Sequence, residues 1–248
     1  LTGSISVQAA DAAAANDPAV ELIFTSVSVS GDSHTEAMYE FADKVEELSG
    51  GSVTCKCYDN GSLFSSENEF DALLNGDADL AYISFPTIAT QIPSYSMFAS
   101  GYLFSSYEHM TSVLNGDIGL NKIRPQIEET LNIKPLSSFY LGSRVINKEI
   151  NSYDDMNGLL LRMPNSEAWL FLGEALGANP TPLSFSELYT ALQTGAVDGQ
   201  ENPLSNIYSS SLQDVQKYLS LTGHMYDAAP FVCNMDWFNS LPTEYQEI

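Results

Sequence analysis

The sequence predicts an α/β fold with a largely parallel sheet, and three observations support this prediction. Strand-like and helix-like segments alternate from Val20 to Ile83 at lengths typical of β-α-β units. A second alternating region extends from Leu159 to Leu204. The length of 248 residues is sufficient for one large domain or two smaller ones, each with its own core.

The first alternating region begins with a strand and a helix. β-branched residues are frequent from Val20 to Val29 and predict the first strand. Ser33 and Glu36 have the spacing of a capping box at a helix start, and an apolar stripe extends this helix to Gly50 and Gly51.

The same order then repeats. Apolar and polar residues alternate from Val53 to Tyr58, as in a strand. Ser66 and Glu69 form a second capping box before a short helix that ends near Leu74. The apolar run from Ala78 to Ile83 predicts a third strand, and the helical crossovers favour parallel pairing of these strands.

The middle of the chain is predicted to cross from one lobe to another. A strand at Ile133–Tyr140 is followed by a break at Gly142, and the next strand, Leu141–Ile150, enters the second lobe. The other predicted elements are helices at about 107–115 and 118–131, strands at Lys217–Leu221 and Ala229–Met235, and a helix that begins near Pro242.

The region from Leu159 to Leu204 places polar residues at the ends of its predicted elements. A short apolar strand ends in Arg162, where ligands of open α/β sheets commonly bind. Three helix starts follow: Asn165 as a cap, Ser184 and Glu187 as a capping box with Phe185 in its first turn, and Asn202 as a cap before Pro203.

The chain has three arginines, at positions 124, 144 and 162, so each requires an explanation. A guanidinium matches a carboxylate in a bidentate geometry, which makes Arg162 a candidate ligand contact. The alternative for Arg162 is an ion pair between helices, and for Arg144 an ion pair with Glu149 or Asp154. Composition alone leaves these alternatives open.

The segments LRMPNSE, GANPTPLSFSELYTALQTG and VDGQENPLSN resemble the signature region of the substrate-binding proteins of TRAP transporters, the DctP-type family. The resemblance extends from about Val20 to the end of the chain. It implies a two-lobed fold like that of periplasmic binding proteins, with a ligand cleft between the lobes. Lobe I is expected at residues 19–141 and 228–248 and lobe II at 142–227. The family usually continues with several more helices, so C-terminal helices are expected to be missing here.

The resemblance also implies roles for individual residues. Arg162 would clamp the ligand carboxylate, Arg144 would add a second set of donors, Asn202 would orient the ligand and Phe185 would cover it. We count Asn165 and Ser84 as further ligand-binding candidates.

Two departures from family patterns narrow the range of ligands and cofactors that we expect. Some members carry a tryptophan at the position of Asn202 together with a bound metal, whereas this chain has GQENP; we therefore expect no metal and no cofactor. Members that bind sialic acid carry polar or acidic residues where this chain has Val27, Ser66 and Ser84, so another acid is favoured.

The implied function is an extracytoplasmic, monomeric solute-binding protein that captures a small organic acid and delivers it to the membrane subunits of a TRAP transporter. The alternatives are a ligand-sensing module of a signalling receptor and a secreted enzyme acting on acidic metabolites. The three histidines, His34, His109 and His224, share no spacing with a nucleophile that would indicate catalysis. We therefore expect no enzymatic activity.

Composition excludes several classes of partner. With 9 Lys and Arg against 32 Asp and Glu, the net charge is −23, so nucleic acid and anionic membrane surfaces are disfavoured. Cys55, Cys57 and Cys233 have no metal-site spacing and are interpreted as buried thiols. A disulfide between Cys233 and one of the other two remains an alternative.

The first 18 residues are small, polar and aperiodic, which predicts a flexible leader or tether. Leu1, Thr2 and Gly3 resemble the residues before the lipidated cysteine of bacterial lipoproteins, with Ser4 at the cysteine position. Alternatively, Ala9 and Ala10 are the trace of a signal-peptidase site. Both interpretations place the protein outside the cytoplasm.

Overall fold

The computed structural model describes residues 20–248 and contains a single mixed sheet of eight strands. The leader predicted at residues 1–18 lies outside the described residues. The strands are β1 (Val20–Thr25), β2 (Val53–Tyr58), β3 (Leu80–Tyr82), β4 (Ile133–Ile146), β5 (Leu160–Met163), β6 (Asn179–Pro182), β7 (Gly199–Pro203) and β8 (Ser220–Asn234).

Ten α-helices cover the sheet within these residues. They are α1 (Ser33–Leu48), α2 (Glu69–Asn75), α3 (Phe85–Ile88), α4 (Tyr107–Leu114), α5 (Arg124–Leu131), α6 (Glu167–Ala175), α7 (Leu188–Thr194), α8 (Leu204–Ser209), α9 (Met235–Ser240) and α10 (Thr243–Gln246). No helix in this part of the chain combines the length and apolar character needed to cross a membrane.

The strand order β2-β1-β3-β8-β4-β7-β5-β6 joins two parallel groups through two long antiparallel strands. β1 pairs in parallel with β2 and β3, and β5 pairs in parallel with β6 and β7. β8 is antiparallel to β3 and β4, and β4 is antiparallel to β7. The predicted parallel sheet is therefore confirmed within each half, and the whole sheet is mixed.

The predicted strand breaks in the middle of the chain are wrong. β4 and β8 are continuous, and a bulge in their pairing lies between Tyr140 and Gly142. Gly142 has a φ of +146°, and a Cβ there would collide with the Pro203 side chain. Glycine thus marks a close approach inside a strand rather than its end. The lobe boundaries placed at residues 141 and 228 fall within these two strands and stay a prediction.

Several predicted helix caps are also wrong. Asp32, not Ser33, caps α1 by accepting a hydrogen bond from the backbone N–H of His34 at 2.9 Å. α2 begins at Glu69 itself, so this residue cannot complete a box with Ser66. At the other helix starts, Ser166 and not Asn165 occupies the cap position of α6, and Ser184 makes no capping bond.

The cysteines are free thiols. Cys55 and Cys57 lie on the edge strand β2 with their sulfur atoms 3.9 Å apart, whereas Cys233 lies on β8, from which β1 and β3 separate them. A disulfide between Cys233 and either residue is therefore excluded in this fold. The interpretation as buried thiols is confirmed for Cys233 and wrong for Cys55 and Cys57, which are partly buried because β2 is an edge strand.

Candidate functional site

A cavity of about 420 Å³ lies between the two halves of the sheet. Its walls come from the segments that follow β1, β2 and β3 on one side and β5, β6 and β7 on the other, with β4 and β8 between them. The volume lies within the range of about 300–1,000 Å³ typical of small-molecule sites. All six predicted ligand-binding residues line it, namely Ser84, Arg144, Arg162, Asn165, Phe185 and Asn202.

Arg162 is a buried cation without a carboxylate partner among residues 20–248. Its side chain belongs to β5 and is 2% exposed, and its Nε and Nη2 donate hydrogen bonds to the carbonyl oxygen of Leu183 at 2.9 and 2.6 Å. The guanidinium carbon lies 5.7 Å from the centroid of the Phe185 ring. One side of the guanidinium is therefore held by neutral groups, and the cavity adjoins this residue.

Burial lowers the pKa of Arg162 to about 10, although the charge of Glu201 opposes this shift. The residue therefore stays protonated at neutral pH. An ion in such an environment is stabilised strongly by an opposite charge, because the surrounding dielectric is low. Arg162 can thus receive an anion that enters the cavity.

Arg144 is held in a network of acidic side chains. Its Nη2 donates to Glu201 Oε1 at 2.7 Å, its Nε donates to Glu201 Oε2, and its Nη1 donates to Asp227 Oδ2. The ring of Trp169 lies 4.6 Å from its guanidinium carbon. The ion-pair partners considered from the sequence, Glu149 and Asp154, are therefore wrong, and most donors of Arg144 are used within the protein.

The charged side chains of this network shift one another's pKa values. Desolvation on its own lowers the pKa of Arg144, but Glu201 and Asp227 more than offset that and raise it. Burial acts to raise the pKa of Glu201, yet Arg144 and a hydrogen bond from His224 lower it to about 2. Burial raises the pKa of Asp227, and the charge of Glu201 adds to this shift, although the charge of Arg144 opposes it.

Asn202 is oriented by the same network. It lies in β7, where its Oδ1 accepts a hydrogen bond from Arg144 Nη2 at 3.0 Å and its Nδ2 donates to Gln200 Oε1 at 2.6 Å. The predicted cap at Asn202 is wrong, because α8 begins at Leu204 with Pro203 in the cap position. The side chain is instead fixed at the cavity wall.

The other predicted site residues have different degrees of exposure. Ser84 caps α3 and shares a hydrogen bond with Thr87 Oγ1 at 2.8 Å. Asn165 is exposed at the cavity rim before α6, and Phe185 is partly buried. The first-half positions Val27 and Ser66 also line the cavity.

Contacts between the two halves border the cavity. Ser184 Oγ donates to Glu67 Oε2 at 3.1 Å, and Asn206 Nδ2 donates to Asp32 Oδ2 at 3.3 Å. Both pairs join a residue of the first half to a residue of the second. The cavity is therefore partly enclosed by side chains that meet across it.

The family model for bacterial extracellular solute-binding proteins, family 7 (DctP), matches residues 24–248. The chain belongs to this family. The predicted family is thereby confirmed.

Individual relatives of this DctP-family chain support the assignment. It is 34% identical over 186 residues to the sialic acid-binding periplasmic protein SiaP of Vibrio cholerae, an alignment that covers 74% of this chain and 58% of SiaP. The chain thus spans less than two thirds of the length of that relative.

Solved structures confirm the two-lobed fold class. A TRAP periplasmic solute-binding protein from Roseobacter denitrificans with bound 3-deoxy-D-manno-oct-2-ulosonic acid has a TM-score of 0.84 and 34% identity, with 92% of this chain and 76% of that chain covered. The sugar acid binding protein DctPAm from Advenella mimigardefordensis, in complex with galactonate, has a TM-score of 0.87 and 32% identity, with 92% and 74% covered.

Several cavity residues of this DctP-family chain were not predicted from the sequence. They are Glu69, Asp227 and His34, whose burial depends on distant parts of the fold. Glu201, which holds Arg144 at the cavity wall without lining the cavity itself, was also not predicted, although it lies inside the GQENP segment of the family resemblance. Within residues 20–248, no group of three His, Cys, Asp or Glu side chains is arranged to hold a metal ion.

Proposed function

We propose that this chain captures a small organic acid outside the cytoplasm and delivers it to the membrane subunits of a TRAP-type transporter. Membership of the extracellular solute-binding family supports the location and the partner. The chain would bind and release the acid without converting it. The observation that carries the ligand assignment is the buried Arg162 guanidinium, which has no carboxylate partner among the described residues and lines the cavity.

The ligand carboxylate would accept hydrogen bonds from Arg162. Nε and Nη2 of this residue already donate to the Leu183 carbonyl oxygen, which fixes the guanidinium plane. Donors on the remaining side would be oriented before the ligand arrives. Such preorganisation reduces the conformational entropy lost on binding.

The neighbouring side chains would act around this ion pair. Phe185 would cover the pair and exclude water, and Asn202 would orient the ligand from a position that Arg144 holds. Arg144 has five N–H groups, and its partners in the network leave one Nη1 hydrogen for a ligand. Asn165 and Ser84 would contribute polar contacts from opposite walls of the cavity.

Calorimetric titration of carboxylic acids into the whole chain tests this proposal. Arg162→Lys keeps the positive charge and removes the bidentate geometry. Arg162→Gln removes the charge as well, so it should weaken binding by about 2–5 kcal/mol. The matched controls are Arg124→Lys and Arg124→Gln, because Arg124 does not line the cavity and donates to the Leu136 carbonyl oxygen and to Asn115. Equal affinities of wild type and Arg162→Gln would refute the proposed role.

A further inference from the structure

The cavity walls carry hydrogen-bonding groups that the carboxylate clamp does not use. Their chemistry narrows the class of ligand, and this narrower inference rests on the proposed function. Four such groups are nine-tenths or more buried, line the cavity and have an unpartnered polar atom in the described structure: Glu69 Oε1, His34 Nε2, Asn206 Oδ1 and Asp227 Oδ1. Asp227 already pairs with Arg144 through its other oxygen, so the argument concerns the first three.

Among the described residues that line the cavity, Arg162 is the one cation that no carboxylate of the protein neutralises. Arg162 and Arg144 are the arginines that line it, no lysine does so, and Arg144 is neutralised by Glu201 and Asp227. A second carboxylate on the ligand would therefore meet no second free Lys or Arg among the lining residues. It would instead approach acidic side chains, which disfavours a dicarboxylate.

Glu69 lines the cavity with its carboxyl group on the wall formed by the first half of the sheet. It is 4% exposed, and its Oε1 has no hydrogen-bond partner within residues 20–248. Burial raises the pKa of this carboxyl to about 8. A protonated carboxyl both donates and accepts a hydrogen bond, as a hydroxyl group of a ligand requires.

Asp32, His34 and Asn206 form a second group that spans the cavity. Asp32 Oδ2 accepts from Asn206 Nδ2 at 3.3 Å, and Asp32 Oδ1 lies 3.4 Å from His34 Nδ1. These contacts leave Asn206 Oδ1 and His34 Nε2 without hydrogen-bond partners in the part of the chain that the structure describes. With Nδ1 protonated towards Asp32, both leftover atoms are acceptors, and hydroxyl groups are their natural donors.

We propose that the ligand is a polyhydroxylated monocarboxylate of the aldonic-acid class, with its carboxylate on Arg162 and its hydroxyl groups on Glu69, His34 and Asn206. One end of such a molecule would pair its negative charge with Arg162, and its hydroxyl groups would form hydrogen bonds with the unpartnered polar atoms. Sites built to bind a hydroxyl group reject analogues that lack it, because their buried polar atoms stay unpaired.

Titration calorimetry with acids that differ in their hydroxyl groups and in the number of carboxylates tests the assignment on the whole chain. The probes are the six-carbon aldonates D-gluconate, D-galactonate and D-mannonate, together with hexanoate, which lacks hydroxyl groups, and the dicarboxylates adipate and succinate. At least one aldonate should bind about 100-fold more tightly than hexanoate and either dicarboxylate. Arg162→Gln should weaken every acid that binds.

Variants at Glu69 test the hydroxyl contacts. Glu69→Met keeps the size of the side chain and removes hydrogen bonding, so it should weaken the best aldonate about 10-fold or more while changing hexanoate little. Glu69→Gln retains hydrogen bonding and should preserve most of the preference for the aldonate. Glu174→Met, at an exposed position on α6, is the matched control and should bind as wild type does.

The outcomes separate this inference from the proposed function. If a dicarboxylate or hexanoate binds at least as tightly as every aldonate, and Arg162→Gln weakens it, the aldonate inference is overturned and the organic-acid proposal stands. If no acid binds, both are overturned. An aldonate preference that Glu69→Met leaves unchanged would overturn the assignment of Glu69.

Discussion

Arg144 and Glu201 form a bidentate ion pair that is almost completely removed from solvent. Both carboxylate oxygens of Glu201 accept from the guanidinium, and the two side chains are 3% and 0% exposed. The pair joins β4 to the neighbouring strand β7, and Asp227 of β8 adds a second carboxylate. The two charges thus bind together the strands that form the floor of the cavity.

Breaking this pair should destabilise the fold strongly. Glu201→Gln removes one charge and leaves the buried Arg144 with Asp227 alone, so the free energy of unfolding should fall by about 3–5 kcal/mol. Urea denaturation followed by circular dichroism measures this change. Glu47→Gln is the matched control, because Glu47 pairs with Lys44 at the surface, and it should leave stability unchanged. A similar midpoint for wild type and Glu201→Gln would contradict the structural role of the pair.

Glu69 should make stability depend on pH. Its pKa rises from 4.5 to about 8 on burial, so the folded state keeps a proton that the unfolded state releases between these values. The unfolded state therefore gains stability relative to the folded state as pH rises through this window. Glu69→Gln removes the effect, and its advantage over wild type should grow from none at pH 4 to at most about 5 kcal/mol at pH 8, at 1.36 kcal/mol per pH unit.

Denaturant midpoints of the two proteins at pH 4, 6 and 8 measure this difference. Glu174→Gln, at an exposed site, controls for a general effect of removing one negative charge. A stability difference between wild type and Glu69→Gln that is the same at all three pH values would show that Glu69 ionises normally in the folded protein.

The local sequence pattern was sufficient to predict helices and strands whose formation is determined by residues within the same segment. The apolar stripe of α1 and the alternation in β2 predicted both elements and nearly their ends. The position of Arg162 at the end of a short strand was also predicted, since a charge after an apolar run is a local signal. The resemblance to a known family implied the cleft and the roles of Arg162, Arg144, Asn202 and Phe185.

Features that depend on distant contacts were not predictable in the same way. Gln200, Glu201 and Asn202 are polar, yet they are buried in β7 because Arg144 and Asn147, more than 50 residues earlier, satisfy them. Glu69 has the local pattern of a capping residue, but the packing of α2 against the sheet places it at the cavity. In both cases the tertiary structure overrides the local preference.

Gly142 should be intolerant of any side chain. Alanine there would have an unfavourable φ of +146° and would also collide with Pro203. Gly142→Ala should lower the free energy of unfolding by about 2–4 kcal/mol, because backbone strain of about 1–3 kcal/mol combines with disturbed packing between β4 and β7. Gly158→Ala is the control, because Gly158 also has a positive φ, of +80°, but no atom lies within 4 Å of its added Cβ.

Thermal unfolding of the two glycine variants separates strain from collision. Both should unfold at lower temperature than wild type, with the larger decrease in Gly142→Ala. Equal decreases in the two variants would mean that Pro203 moves aside and that the close approach contributes nothing.

The net charge should slow the capture of an anionic ligand at low ionic strength. A charge of −23 repels an organic acid over long distances, whereas Arg162 attracts it only at short range inside the cavity. Added salt screens the long-range repulsion more than the buried contact. The association rate of the tightest-binding acid should therefore rise with ionic strength, as stopped-flow fluorescence of Trp169 near Arg144 can measure. A neutral osmolyte at matched osmolality should leave the rate unchanged, and a rate that falls with salt would mean that local positive charge governs the approach of the ligand.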